Sequence, residues 1–233
     1  LKAVLFDLDG TLLDNDVSLF IPQYFALLSK RFSRRISPEK FIDSLIKASN
    51  AMISPPHPSL TNEEVFWREF TKLTGMSFNE LSPQIEDFYL GEYSTLKEIT
   101  RPIPEARELL SSLVENGYMI ALATSPIFPE IAIRQRMKWA KIEDLPFQVV
   151  TTYENMHSGK PCLEYYREIL KKLGIQPWQA LMVGNSLQDD MVSKKVGVFT
   201  YLIHSGPLDS LDTSLIDWFG PLSDLKRVLS LYS

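Results

Sequence analysis

Residues 3–13 read AVLFDLDGTLL, and the fold turns on them. Ala3, Val4, Leu5 and Phe6 form an apolar run without polar alternation, the pattern of a strand buried on both faces of a sheet. The run breaks abruptly into Asp7-Leu8-Asp9-Gly10-Thr11. Two carboxylates two residues apart in extended chain point the same way and crowd their charges into one small region. Such crowding is unfavourable unless a cation or a proton intervenes. Gly10 lets the chain turn sharply away from the strand end. A strand running into an ordinary Asp/Gly turn looks similar in isolation, so the rest of the chain has to decide.

From residue 101 onward, helix and strand signals alternate. Residues 104–116 read as a helix with proline at its start and Gly117 at its end, and 118–123 (YMIALA) as a buried strand. A helix over 130–140, a strand over 147–151 and a helix over 161–173 closed by Gly174 follow. Then come a strand over 180–183, a helix over 188–196 and a last strand over 198–203. Residues 204–220 read as surface loop and 223–231 as a closing helix. Between residues 14 and 96 no strand is expected, only helical periodicity. Phe20, Tyr24, Leu27, Leu28 and Phe32 mark the face of a first helix. Ser37-Pro38 opens a second, which runs towards Met52 before the proline-rich 54–59 breaks it. Thr61-Asn62-Glu63-Glu64 is a capping box opening a third helix that ends at Gly75, and 79–93 make a fourth.

These patterns predict an α/β fold: a doubly wound parallel (Rossmann-like) sheet core from residues 1–13 and 101–233, and a small all-helical cap from residues 14–100. In such sheets the site lies beyond the carboxyl ends of the strands, near a topological switch point. Polar residues should therefore punctuate those ends, and they do. Asp7 and Asp9 end the first strand, Thr124-Ser125 the second, and Gly184-Asn185-Ser186 the strand at 180–183. Lys160 opens a helix in the same hemisphere.

The composition, 45% apolar and 23% charged, is that of an ordinary globular protein. A net charge of −5 gives no reason to expect nucleic acid or an anionic membrane as partner. The lone cysteine, Cys162, excludes an internal disulfide and any multi-cysteine zinc site. No apolar run approaches the length of a membrane span. An acidic pair sits where a signal peptide would continue its apolar core, so no secretory signal is expected. The leading Leu points to a start trimmed by a residue or more. A cytoplasmic enzyme is the default expectation; the oligomeric state is not encoded in any motif.

Acid–x–acid–Gly–Thr after a buried strand, followed in order by Thr124, Lys160 and residues 184–189 (GNSLQD), resembles the four motifs of the haloacid dehalogenase superfamily, most of whose members are phosphatases. The resemblance covers most of residues 1–203, and the family's helical cap fits residues 14–100 in place and character. It implies Asp7 as nucleophile and Asp9 as general acid/base. It also implies that Thr124, Ser125, Lys160 and Gly10 bind phosphate, and that Asp7, Asp9, Asn185 and Asp189 hold Mg²⁺. The chemistry is coherent on its own terms. A carboxylate can attack phosphorus and split hydrolysis into two easier steps. A bridging Mg²⁺ would relieve its repulsion from the substrate, and that ion is content with one or two carboxylates plus phosphate and waters. Asp9, beside a like charge, could keep a proton for the leaving oxygen.

Two positions depart from the family pattern. Asn185 stands where an aspartate is usual, so weaker metal binding is expected unless Asp189 or Asp190 compensates. Ser125 stands where asparagine is frequent, and a hydroxyl can still reach a phosphate oxygen. The expected activity is a Mg²⁺-dependent phosphatase acting on a small phosphorylated metabolite. A phosphomutase, a dehalogenase or a weakened phosphate-binding relative are the alternatives; Asp9 argues against the dehalogenase. His57, His157 and the trio Arg31, Arg34 and Arg35 are further candidates for contact with substrate; surface structure explains the arginines and His157 as well, and for His57 a surface-loop residue is the favoured reading.

Overall fold

The computed structural model describes residues 1–53, 57, 59–206 and 212–230. Strand β1 (Ala3–Phe6) is fully buried. The chain turns after it and forms a short strand β2 (Leu13–Asn15) before entering four helices: α1 (Val17–Phe32), α2 (Pro38–Ile53), α3 (Asn62–Thr74) and α4 (Phe78–Leu90). A 3₁₀ segment, Glu92–Ile99, leads to β3 (Thr100–Pro102), which pairs antiparallel with β2. Then follow α5 (Ala106–Glu115), β4 (Met119–Leu122), α6 (Glu130–Trp139), β5 (Val149–Val150), α7 (Leu163–Leu173), β6 (Ala180–Gly184), β7 (Phe199–Ile203), β8 (Trp218–Gly220) and a short α8 (Leu225–Leu229).

Local chemistry explains the helix starts. The Asp16 side chain accepts from the Ser18 N–H at 2.9 Å and caps α1. Thr61 and Glu64 exchange hydrogen bonds in a capping box at the head of α3, and Gly75, with φ at 71°, closes its tail in the left-handed region.

Six strands form one parallel sheet in the order β5-β4-β1-β6-β7-β8. The chain winds outward from β1 to β5, then crosses back to β6 and winds the other way. The switch point therefore lies at the carboxyl ends of β1, β4 and β6. Val4 and Phe6 face a core shared with α5, α6 and the four inserted helices, while Ala3 and Leu5 face α7 through Tyr165, Tyr166 and Ile169. Both faces are covered, which is why β1 shows no polar alternation.

Several expectations are corrected. Residues 204–220 are not all loop: Trp218–Gly220 adds a parallel edge strand to β7. The stretch between 14 and 96 is not strand-free, because β2 begins at Leu13 and reaches Asn15. In place of a helix over 188–196 there is a 3₁₀ segment, Met191–Val196. The break expected at 54–59 and the end of the closing helix at 231 fall largely outside the described residues. Among the described residues no helix is long and apolar enough to cross a membrane.

Candidate active site

The Asp7 N–H donates to the Val183 carbonyl at 2.9 Å, the last rung between β1 and its neighbour, so the Asp7 side chain leaves the sheet at the switch point. Its Oδ1 accepts from Lys160 Nζ at 2.7 Å, and the same ammonium donates to Asp190 Oδ1 at 2.5 Å. Lys160 is only 5% exposed and Asp7 only 9%. Asp190 is fixed from behind by the Ser186 N–H at 3.0 Å. Gly184 makes this possible: a Cβ there would collide with the Asp190 carboxyl group.

Asp9 has its own cation. Its Oδ1 accepts from Asn15 Nδ2 at 2.7 Å, and its Oδ2 pairs with Nη1 of Arg136 on α6. Arg136 is 2% exposed and lies with its guanidinium 4.5 Å from the centre of the Phe128 ring and 6.0 Å from that of Phe20. Such stacking suits the weakly hydrated, permanently charged guanidinium better than it would an ammonium. The crowding expected between the two carboxylates is thus relieved by a separate cation for each.

Thr124 follows β4, and its carbonyl accepts from the hydroxyls of Thr151 at 2.7 Å and Tyr165 at 2.8 Å, which locks the loop that carries its side chain. Asp7, Asp9, Thr124, Ser125, Arg136, Lys160, Asn185, Asp189 and Asp190 all border one cleft of about 350 Å³. The site residues named from the sequence therefore converge, with refinements. Gly10, expected to contact phosphate, spends its N–H on the Leu13 carbonyl at 2.7 Å. What it supplies is the turn, at φ 82°, and room for the Asn185 side chain, with which a Cβ would collide. Of the adjacent acids, Asp190 reaches Lys160, whereas Asp189 stays at the exposed rim beside the Ser186 hydroxyl. Arg136 is the residue that reading the sequence missed. It falls on the same face of α6 as Ala132 and Ile133, where helical spacing calls for an apolar side chain.

Arg31, Arg35, His57 and His157 belong to surface structure. Arg31 pairs with Glu92 at 3.1 Å, Arg35 with Glu80 at 2.9 Å and His157 with Glu168 at 2.9 Å. The His57 ring accepts from the Leu60 N–H at 3.0 Å.

The electrostatics favour an added cation. Burial pushes the Asp7 carboxyl group up to about 7, Asp190 and Asp9 add to the rise, and Lys160 opposes it. Burial also works against the Lys160 charge, but Asp190 and Asp7 together hold that ammonium well above its ordinary range. Four carboxyl groups, Asp7, Asp9, Asp189 and Asp190, border the cleft against two cations, Lys160 and Arg136, so negative charge is in excess before any phosphate arrives. Among the described residues no donor reaches Asp7 Oδ2, and the Asn185 amide borders the same cleft, so oxygen ligands for a hard cation are present. Asp9, with both carboxylate oxygens engaged, is the less available of the acid pair. Among the described residues no three His, Cys, Asp or Glu side chains converge as a closed metal cage. A Mg²⁺ completed by waters and substrate oxygens makes no such demand.

A parallel sheet with an acid pair at its switch point and a buried lysine behind one of the acids defines an α/β enzyme. The chain belongs to the haloacid dehalogenase-like hydrolase family, whose sequence profile matches residues 4–203. It is 27% identical to the glyceraldehyde 3-phosphate phosphatase of Methanothermobacter thermautotrophicus, over 98% of this chain and 100% of that protein. To the phosphoglycolate phosphatase of Nitrosospira multiformis it is 27% identical, over 93% of this chain and 89% of the relative. The crystal structure of a HAD phosphatase from Thermococcus onnurineus shares the fold, with a TM-score of 0.62 at 24% identity and 98% of both chains covered.

Proposed function

We propose that the protein is a Mg²⁺-dependent phosphatase that hydrolyses a small phosphorylated metabolite through an aspartyl-phosphate on Asp7. The observation that carries this reading is the chain of ion pairs Asp7–Lys160–Asp190 at the end of the central strand, which engages one Asp7 oxygen and, among the described residues, leaves the other without a donor at the cleft. The relatives' names, phosphatases of glyceraldehyde 3-phosphate and of phosphoglycolate, support it. In this reading residues 1–13 and 101–233 are the catalytic core and residues 14–100 the cap.

The Asp7 oxygen attacks phosphorus, and an acyl-phosphate bond forms as the ester P–O bond breaks. Lys160 and the hydroxyls of Thr124 and Ser125 hold the phosphoryl oxygens and meet the charge that builds on them. Asp9 is the general acid/base: it delivers a proton to the leaving oxygen, which it must first take up by releasing one of the donors that its two oxygens now hold, and then takes one from the water that attacks phosphorus and frees Asp7. Asn15 and Arg136 keep Asp9 aimed through both steps. The inserted helices keep bulk water out; Asn62 at the head of α3 donates to the carbonyls of Pro126 and Ser158, both at 3.1 Å, and so holds the helices against the site. Mg²⁺ held by Asp7 and Asn185, with Asp189 at the rim, would offset the repulsion between carboxylate and phosphate.

Incubation with p-nitrophenyl phosphate and a panel of phosphorylated metabolites should release inorganic phosphate in the presence of Mg²⁺ and lose most of that release in EDTA. A panel that yields no phosphate with Mg²⁺ present would refute the reading. Position 185 gives a finer test. Asn185→Asp adds a charged ligand and should lower the Mg²⁺ concentration for half-maximal activity on the order of tenfold. An unchanged titration would remove this residue from the metal shell.

A further inference from the structure

Beside the catalytic cleft lies a second cavity of about 200 Å³, enclosed by α1, α2, α3 and α4 and by core residues 127–129. The two spaces share a wall, because Ile21, Ile127 and Phe128 border both. Among the described residues none of the side chains lining the chamber carries a charge. The hydroxyls of Tyr24 and Tyr89, which also border it, hydrogen-bond to each other at 2.8 Å and are buried, so they turn little polarity inward. Asn50 and Ser49, on the outer edge of α2, mark the side nearest solvent.

Resting on the phosphatase reading above, we infer that this chamber receives the organic half of the substrate, and that the substrate is the phosphate monoester of an apolar alcohol. A carboxylate, a second phosphate or a polyol entering the chamber would exchange its water for only the few neutral polar groups in the lining, Ser49, Asn50, Trp67 and Tyr153 among them, and would find no cation among the described residues. A hydrocarbon group gains by the same transfer, about fourfold in affinity for each buried methylene. The size is adequate: an apolar cavity of about 150 Å³ takes a benzene ring. With phosphorus held by Asp7, Lys160 and Thr124, the carbon chain of the ester would have to pass the shared side chains Phe128 and Ile127 to reach the apolar space. Small polar esters of the kind named for the relatives have nothing to gain there.

The test is a homologous series of ethyl, butyl, hexyl and cyclohexylmethyl phosphates, whose alcohols are of near-equal basicity, assayed beside 2-phosphoglycolate and p-nitrophenyl phosphate with Mg²⁺. The value of kcat/KM should climb with apolar size, with hexyl exceeding ethyl by on the order of a hundredfold. Ser49→Phe, which fills the chamber, and Ile46→Glu, which sets a charge at its edge, should each reduce the hexyl-to-ethyl ratio about tenfold or more. The ratio is read within each variant, so a partial loss of folded protein cancels. A flat series in the unaltered protein, or phosphoglycolate preferred over hexyl phosphate, overturns the inference and leaves the phosphatase reading standing. Phosphate release from none of the esters, p-nitrophenyl phosphate included, overturns both.

Discussion

Asp7→Asn should abolish phosphate release, lowering turnover by at least about a thousandfold, because the amide offers no lone pair able to form the acyl-phosphate. The fold should survive it. Asp7 is buried and its carboxyl group is pushed up to about 7 from 3.8, chiefly by desolvation. The folded state therefore binds the proton more tightly than the unfolded chain does. Stability from this group is fully present below pH 3.8 and is lost progressively as pH rises towards 7. In metal-free buffer at pH 8 the ionised carboxylate is a net cost, and Asp7→Asn should melt at least as high as the unaltered protein. Near pH 4 this difference should vanish. Thermal melts at the two pH values, paired with a phosphate-release assay, separate loss of chemistry from loss of structure. A variant that keeps more than about a tenth of the activity would remove Asp7 from the role of nucleophile.

The second large effect is expected at Arg136. Arg136→Met keeps much of the side-chain volume but leaves the Asp9 carboxylate without its cation in a site that is mostly closed to solvent. Breaking one side of a buried ion pair costs about 3–5 kcal/mol, which for a chain of this size lowers Tm by roughly 10 °C. Activity should fall as well, since Asp9 loses one of the two groups that aim it. The pair can be isolated from the packing by adding Asp9→Asn to Arg136→Met. The double variant should recover most of the lost Tm, because no uncompensated charge remains, and should recover none of the activity. If the double variant melts as low as Arg136→Met alone, the loss belongs to the contacts with Phe128 and Phe20, and the ion pair is not what holds this corner together.

The parts of the site that were legible in the sequence are those where residue type coincides with a break in periodicity. Asp7 and Asp9 interrupt an apolar run, Thr124 follows another, and Lys160 precedes a helix; the structure places all four at one cleft. Arg136 interrupts nothing. It sits inside a helix, where a charged residue reads as the solvent side until the partner opposite is known, and that partner lies 127 positions away. The choice between Asp189 and Asp190 was equally hidden. The two are adjacent, and only the space above Gly184, with the turn that brings Ser186 N–H round, sends Asp190 inward. Among the fold elements, helices with caps at both ends were legible, as Thr61 and Gly75 show for α3. Three-residue strands were not: β8 and the pair β2 and β3 are too short for a period-2 pattern, and their pairing partners define them.

That small antiparallel pair has a wider consequence. Because β2 and β3 lie side by side, the polypeptide departs from the parallel sheet and comes home to it through adjoining doorways. The four helices enter and leave through this pair and pack on the core beside it, but contribute nothing to the order of the six strands. An ancestor built this way could lengthen, shorten or rewrite the suspended part while its reactive aspartate stayed in register. In the proposed reading, change in the inserted part would alter which ester is taken while leaving the strand that carries Asp7 in place.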